Sequence, residues 1–551
     1  MGNQRTRKQA ICKLRVLIVE NRLTTRQVHV DNVTRWGYEP VVAEGVGEAL
    51  LQHALELART QCCHLALVDK RLRDDYKNSD ISGIDLIEKI QPTSTILITG
   101  YPDHESTLAA MQKGTVTVVA KKGGPDAVRK ALQEAAALWH PTTDIRWPSG
   151  WSTKRVANLL VEDEACASTF CEDEADYIIA KLFSGAKKVV LKRLNGSTKS
   201  DSSARIPSFR LGSLVFIVYE DDKVPVIVKL LSKKKATKEK ENYDQFIRGY
   251  VGNNRYASME GSQTLWHLGG HKYRLIRVTG QEILTFDELY ARNIQDQKLL
   301  DILEDFFKTT WVRNRDQVKR SSRSLFELYD HNWEGKLSQR LDDWRKEPEV
   351  LRKSKTFPIS LPHPLRWIAD HLDDSNLPGI CVAVVHGDLH GGNILLDEQY
   401  FTWVIDYEDT GYGHVLRDYA ELAQNIMTRL HPGPYSQLQW LYALAVSLAA
   451  PANPHQRIPS NPTIDNNPHS LRAYSILRAI QKFADELTGY QQSQEFLWAI
   501  LLDIAKVYAA LSKDRKRQKR LLYLGGLLCH RVDHWGDTEW PPKEWATTVW
   551  K

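Results

Sequence analysis

Residues 384–396 read VVHGDLHGGNILL, two apolar runs around an insert of two His, three Gly, one Asp and one Asn. A plain core strand followed by a plain helix has no use for such an insert. Its glycines let the backbone turn tightly, and the turn sets Asp388 and Asn393 five residues apart on one loop. Eighteen residues after Asp388, TWVIDYED ends a second apolar run in Asp406. Far upstream, VPVIVK (224–229) is a short strand ending in Lys229.

These residue types answer one chemical need. Phosphoryl transfer from a nucleotide asks for a lysine on the phosphates, oxygen ligands for metal ions, and a carboxylate that orients the acceptor hydroxyl. Mg²⁺ is usually held by one or two carboxylates with phosphate oxygens and water. Asp388 suits the orienting role, Asn393 offers a neutral ligand, and Asp406 supplies the missing carboxylate. The charged helical stretch KKKATKEKENYDQF carries Glu239 and Glu241, either of which could pair with Lys229. The offset from Tyr243 favours Glu239. The polar Gly196-Ser197 segment, lying between two strands, is placed to cover the phosphates.

The signature His-Gly-Asp, with His two and Asn five residues after the Asp and Ile-Asp further on, resembles the protein-kinase-like superfamily. Within it the match is to the aminoglycoside phosphotransferase and choline kinase branch. The resemblance implies an α+β two-lobed domain, with an N-lobe over 175–285 and a C-lobe over 286–551. It also implies ATP and Mg²⁺ as cofactors, Asp388 as catalytic residue, Asn393 and Asp406 on the metal, and Lys229, Glu239, Gly196 and Ser197 on the nucleotide. Gly387 stands where protein kinases usually carry Arg, and IDYED runs within a dozen residues into a helix containing Asp418. In the small-molecule branch that Asp braces the catalytic loop, so Asp418 is expected to be structural. The acceptor is not encoded, because the fold does not fix the substrate. The alternative expectation is an ATP-binding pseudokinase that serves as a signalling scaffold.

Residues 14–140 follow another rhythm. The apolar runs LRVLIVE, PVVAE, HLALVD, TILITG and VTVVAK alternate with five helical stretches. Such alternation implies a parallel sheet covered on both faces. Ligands of open parallel sheets bind at the carboxyl ends of the strands, and Glu20-Asn21, Asp69, Thr99 and Lys121 all fall there. This region resembles the flavodoxin-like receiver domain of bacterial response regulators. The resemblance implies Asp69 as phospho-acceptor, Thr99 as switch hydroxyl, Lys121 as phosphoryl contact and a signalling protein as partner. Asn21 replaces the second carboxylate of the metal site, which weakens the expected Mg²⁺ binding. Val118 takes the place of the usual switch aromatic, and Lys122 that of the usual proline. The loop RLRDDYKNSDISG beside Asp69 is also longer than the family's.

The bulk numbers fit this division. At 551 residues two or three domains are expected. The boundaries read as a receiver-like domain at 1–140, a Pro- and Trp-containing linker at 141–174, and the two lobes. A net charge of +6 with 26% charged residues gives no reason to expect nucleic-acid binding. Seven cysteines without a ligand pattern favour a reduced protein. No run reaches the ~18–20 apolar residues of a membrane span, so a cytoplasmic protein without membrane contact is expected. The lysines of 233–240 read as a solvated helix face, and Trp535, Trp540, Trp545 and Trp550 as a tail laid along the C-lobe.

Overall fold

The structure is a computed structural model. It describes residues 13–545 except 75, 78, 101, 140–142, 161–172, 195–211, 222, 249–256, 276–282, 293, 312–317, 354, 356–357, 434–437, 450–465, 489–492, 512–513 and 538. They divide into two compact units. The first holds Met1–Arg193, Ser200–Thr237 and Glu260–Tyr273, and the second Leu194–Lys199, Lys238–Met259 and Arg274–Lys551.

The first unit opens with β1 (Arg15–Val19), β2 (Glu39–Val42), β3 (Leu65–Asp69), β4 (Ser94–Thr99) and β5 (Thr115–Ala120). All pair in parallel, in the order β2-β1-β3-β4-β5. Helices α1 (Leu23–Arg35), α2 (Glu48–Thr60), α3 (Ser82–Lys89), α4 (His104–Gln112) and α5 (Gly124–Ala137) alternate with them, as the apolar runs predict. Both faces are apolar and both are covered. Leu17, Val19, Val68 and Leu97 pack with Leu50, Ile84 and Ile87, while Val16, Ile18, Leu67 and Ile98 pack with Val33, Val128 and Leu132. The strand order is that of the flavodoxin-like fold, which places its ligand crevice at the β1/β3 switch point.

A second sheet is built from β6 (Asp144–Arg146), β7 (Lys188–Arg193), β8 (Ser213–Glu220), β9 (Val226–Ser232), β10 (Ala257–Thr264) and β11 (Leu268–Leu275). Its order is β10-β11-β9-β8-β7-β6. β8 and β9 form the expected hairpin, with Ile217 opposite Ile227 and Asp221 at φ +46° in the connection. The segment 141–174 does more than link. β6 pairs in parallel with β7, and α6 (Thr153–Leu160) and α7 (Glu174–Leu182) contribute buried side chains. The tryptophans that read as linker residues are packing residues, since Trp147 and Trp151 meet Phe216 edge-on at 5.5 and 5.8 Å. Trp139, at the end of α5, stacks on Trp266 at 5.2 Å, and one apolar core runs unbroken from Ile18 and Leu67 to Phe216 and Leu230.

In the second unit α8 (Lys233–Asn242) enters from Lys238 onward. Two small antiparallel sheets follow. One joins β12 (Leu284–Thr285), β15 (Ile394–Leu396) and β16 (Thr402–Val404), and the other β13 (Lys319–Arg320), β14 (Cys381–Val385) and β17 (Gly411–His414). Among the helices are α9 (Phe286–Ala291), α10 (Leu325–Asn332), α11 (Arg417–Asn425), α12 (Gln439–Ala449), α13 (Pro468–Thr488), α14 (Ser493–Ala510) and α15 (Arg515–Asp533). Capping boxes, Thr285 with Glu288 and Ser324 with Glu327, start α9 and α10. α14 packs against both α11 and α15. Of the tail tryptophans, Trp535 and Trp540 lie on α15: Trp540 Nε1 donates to His530 Nδ1 at 3.1 Å, and the Arg531 guanidinium lies over Trp535 and Trp540, while Trp550 lies outside the described residues. Among the described residues no helix is long and apolar enough to cross a membrane.

Candidate functional site

Between β14 and β15 the loop His386–Asn393 turns at Gly387, whose φ is +82°. A Cβ there would lie 2.3 Å from the Asp409 carbonyl oxygen, so only glycine fits. The loop amides are then taken up by carboxylates from α11. Asp418, fully buried, accepts from His386 N–H at 2.9 Å and from the Trp311 indole at 2.8 Å through Oδ2. Its Oδ1 accepts from Gly387 N–H at 3.0 Å. Glu421 Oε2 accepts from Leu389 N–H at 2.7 Å. The Gly387 carbonyl accepts from the Arg417 guanidinium, and His386 Nε2 meets the Ile405 carbonyl at 2.9 Å. With its backbone groups satisfied internally, the loop holds the Asp388 carboxylate outward, 45% exposed. Asp418 thus holds the amides of His386 and Gly387.

Asn393 and Asp406 flank the open end of the β15–β16 hairpin. Ile394 pairs with Val404, and Ile405 N–H donates to the Asn393 carbonyl at 3.2 Å. The Asn393 amide donates to the Asp388 carbonyl at 2.9 Å, which leaves Asn393 Oδ1 as the oxygen a cation could use. Asp406 has φ +75°, a strained left-handed geometry for a non-glycine residue. The next amide, Tyr407 N–H, donates to Glu239 Oε1 at 3.2 Å, and Asn242 donates to the Tyr407 and Glu408 carbonyls. Glu239 is fully buried whereas Glu241 is exposed, so Glu239 is the inward carboxylate of α8.

The second unit thus brings together Asp388, Asn393, Asp406, Asp418 and Glu239. Lys229 belongs to the first unit, buried on β9 opposite Val215 and His271. Gly196 and Ser197 lie outside the described residues. Among the described residues no three His, Cys, Asp or Glu side chains converge as a metal cage. An amide oxygen and a carboxylate from Asn393 and Asp406 suit Mg²⁺ completed by phosphate oxygens and water, and do not suit a structural zinc.

Four residues of this site escaped the sequence reading. Lys506 on α14 places Nζ 3.1 Å from Asp388 Oδ1, 3.1 Å from the Gly387 carbonyl and 3.3 Å from Glu421 Oε1. Arg417 Nε bonds Glu421 Oε1 at 3.0 Å. Burial pushes the Asp388 carboxyl up, but Lys506, with His390 and His386, outweighs it and holds it below the usual carboxylate range. Burial likewise lowers Lys506, and Asp388 and Glu421 outweigh that and raise it. Asp503, 2% exposed and three residues before Lys506, is pushed up to about 7, first by burial and then by Glu421. A signal existed: FLWAILLDIAKVYAA carries only these two charges in an apolar helix, and buried charges demand partners.

In the first sheet the four strand-end positions also converge. Lys121 Nζ lies 2.9 Å from Asp69 Oδ1 and 3.1 Å from Glu20 Oε2. Burial lowers the Lys121 pKa, but Asp69 and Glu20 prevail and raise it. Thr99 ends β4, 4% exposed. Asn21 Oδ1 is buried without a hydrogen-bond partner, the oxygen a neighbouring cation would satisfy. The long loop after Asp69 is closed by Asp80, which accepts from the amides of Arg73, Asp74 and Ser82 at 2.8–2.9 Å.

Comparison with family models matches residues 355–503 to Ternary complex associated domain 9, a span well under half of the chain. It includes Asp388, Asn393, Asp406 and Asp418 and ends before Lys506. Comparison with curated proteins gives no match. Among solved structures, the chain is similar to a CheY-like response regulator receiver domain protein from Methanospirillum hungatei JF-1, at 23% identity over 23% of this chain and 96% of that one, TM-score 0.20. It is similar to a response regulator from Thermotoga maritima at 16% identity over 23% and 99%, TM-score 0.20. A signal receiver domain of a putative Luxo repressor protein from Vibrio parahaemolyticus gives 19% identity over 23% and 92%, TM-score 0.20.

Proposed function

We propose that the chain is an ATP-dependent phosphotransferase acting on a hydroxyl acceptor and regulated by its receiver-like N-terminus in bacterial signalling. One observation carries this reading: Asp418 ties down the His386 and Gly387 amides so that Asp388 projects from a fixed loop, with Asn393 and Asp406 at the adjoining hairpin mouth. A stripped loop serving only as structure would not strain Asp406 or leave a charged carboxylate half-exposed.

In this reading Lys229 contacts the nucleotide phosphates, with Glu239 as the family's lysine partner and Gly196 and Ser197 over the phosphates. Asn393 and Asp406 would hold Mg²⁺, which would neutralise charge on the transferring group. Asp388 orients the acceptor hydroxyl for in-line attack. As the oxygen–phosphorus bond forms and the bond to the β-phosphate oxygen breaks, the hydroxyl proton passes to Asp388 or to water. Because Lys506 keeps Asp388 weakly basic, its contribution is orientation more than early proton removal. The Asp69, Glu20, Thr99 and Lys121 arrangement supports phosphorylation of Asp69 as the regulatory event. Cys62, Cys63, Cys381 and Cys529, none of them in a disulfide, suit a cytoplasmic setting.

The test is transfer from γ-labelled ATP to protein or small molecules of a cell extract, comparing wild type with Asp388→Ala. Label transfer lost in the variant while nucleotide binding persists supports the reading; equal transfer by both sinks it. The second reading is an ATP-binding scaffold, favoured by the family name over 355–503, which speaks of association with a ternary complex. It expects no transfer by wild type and complex formation untouched by Asp388→Ala.

A further inference from the structure

Arg429 stands in the helical turn Ile426–Leu430 that continues α11, and its Nη2 lies 3.2 Å from Asp287 Oδ2 in the first turn of α9. Asp287 lies in turn against the Asp388 loop, since a Cβ on Gly391 would overlap its Oδ1. Gly391 is three residues from Asp388, at most about 11 Å along the chain. Arg517, in the first turn of α15, is brought to the same edge by its neighbour one turn on. Arg520 donates to the Thr428 and His431 carbonyls at 3.1 and 3.0 Å, which ties α15 to the residues around Arg429. Burial and then the like charge of Arg429 lower the Arg517 pKa, although Asp503, Asp514 and Asp287 oppose them.

Which atoms are covered decides what an incoming molecule meets. Both Asp287 oxygens and Asp503 Oδ2 are enclosed. Arg517 Nε is enclosed too, while its terminal nitrogens are open, and the Arg429 side chain is 31% exposed. The edge is therefore presented guanidinium-outward, with its carboxylates behind. A fully exposed arginine carries its charge off into water. Arg517 is gripped at Nε and keeps its charge beside that of Arg429. Among the described residues its side chain makes no hydrogen bond or ion pair. Lys506 does not add to this edge, because Asp388, Glu421 and the Gly387 carbonyl hold it. Two guanidiniums fixed together with open tips match the oxygens of a phosphate or a carboxylate.

We propose that the acceptor of this site carries an anionic group, a phosphate or a carboxylate, which Arg429 and Arg517 hold while its hydroxyl meets Asp388. The hydroxyl oxygen takes the γ-phosphoryl of ATP, the bond to the β-phosphate oxygen breaks, and the proton passes to Asp388 or to water. ADP and a product with two anionic groups result. The same charges select against a cationic acceptor. The hydroxyl's role rests on the phosphotransferase reading; the anion subsite does not.

The experiment begins with isothermal titration of the full chain with glycerol 3-phosphate, glycerate, glycerol and choline at constant ionic strength. The proteins are wild type, Arg517→Gln, Arg429→Gln/Arg517→Gln and, as a control on the exposed face of the same helix, Arg515→Gln/Lys519→Gln. Arg517→Gln breaks no internal contact of the side chain, so its melting curve should match wild type even if the double variant's does not. Wild type should bind at least one of the two anions with Kd of about 1 mM or tighter, and neither glycerol nor choline. Arg517→Gln should weaken that binding at least about tenfold, the loss of a charge-assisted contact, and the control should leave it unchanged. Glycerol 3-phosphate bound over glycerate assigns a phosphate, and the reverse a carboxylate. No anion bound by wild type, binding undiminished in Arg517→Gln, or an equal loss in the control overturns the proposal. Transfer from γ-labelled ATP is then read on a metabolite extract split by an anion exchanger. Label should enter the retained fraction, with acceptor KM raised and kcat kept in Arg517→Gln; label entering only the unretained fraction overturns the proposal. Anion binding without transfer to either fraction tells against the phosphotransferase reading and leaves the subsite standing.

Discussion

Lys506 Nζ lies 3.1 Å from Asp388 Oδ1 although the two are 118 residues apart in the chain. Helix α14 thus reaches back to the His386–Asn393 loop, and its lysine holds the Asp388 carboxyl below the usual carboxylate range. Lys506→Met should release the Asp388 carboxyl upward toward the usual carboxylate range, because desolvation is then opposed only by His390 and His386. Transfer should fall about tenfold to hundredfold, and a new acid limb should appear in the kcat–pH profile where wild type is flat. A profile merely scaled down would mean that Lys506 acts on the phosphates and not through Asp388.

Gly387→Ala tests the loop's geometry. The new methyl would meet the Asp409 carbonyl, and the residue would keep a left-handed φ. A loss of roughly 1–3 kcal/mol is expected from the conformation alone, more if the loop cannot shift. Thermal denaturation reads the stability. The transfer assay should fall further than the stability loss explains, since Asp388 and the amides held by Asp418 move with Gly387.

Asp503 makes stability depend on pH. Its folded pKa, about 7, is raised above the ordinary value of 3.8, so its contribution is fully present below about pH 4 and is lost as pH rises through 7. Asp503→Asn removes that loss. The variant should be more stable than wild type at pH 8, by on the order of 2–4 kcal/mol, and no more stable at pH 4. Chemical denaturation at the two pH values checks this, and the same difference at both would assign the effect to packing.

Asn21→Asp addresses the strand-end site of the first sheet. Asn21 Oδ1 is buried without a partner, and Glu20 is already paired with Lys121. A second carboxylate should tighten Mg²⁺ binding by about tenfold or more, read by titration calorimetry. It should also increase beryllofluoride binding, with Asp69→Ala as the blank. Unchanged Mg²⁺ affinity would argue that the convergence at Asp69 serves packing.

The sequence reading succeeded where the signal was periodic or tightly spaced. Five apolar runs alternating with helices defined the parallel sheet, and HGDLHGGN with VID located Asp388, Asn393, Asp406 and Asp418 within one local frame. Spacing could only weigh Glu239 against Glu241; that Glu239 is buried and Glu241 exposed comes from the packing of α8. It failed where partners come from remote elements. Lys506, Glu421 and Arg417 meet the loop only because α11 and α14 pack together, which no local spacing announces. Residues 141–174 misled for another reason. Pro and Trp suggest a linker by composition, but whether Trp147 and Trp151 are exposed depends on Phe216 being there to receive them.

The stack of Trp139 on Trp266, with His64 at their edge, bears on how this chain can be altered. The N-terminal layers are not an interchangeable cassette. A chimera carrying another protein's receiver-like segment ahead of residue 140 would have to reproduce the surface that meets Trp266. Without it, Trp266, which His64 and Trp139 now shield, would be left facing water. Substitutions at His64 and Trp266 should therefore be tolerated together more readily than singly, so variation on either side of the junction is bound to variation on the other.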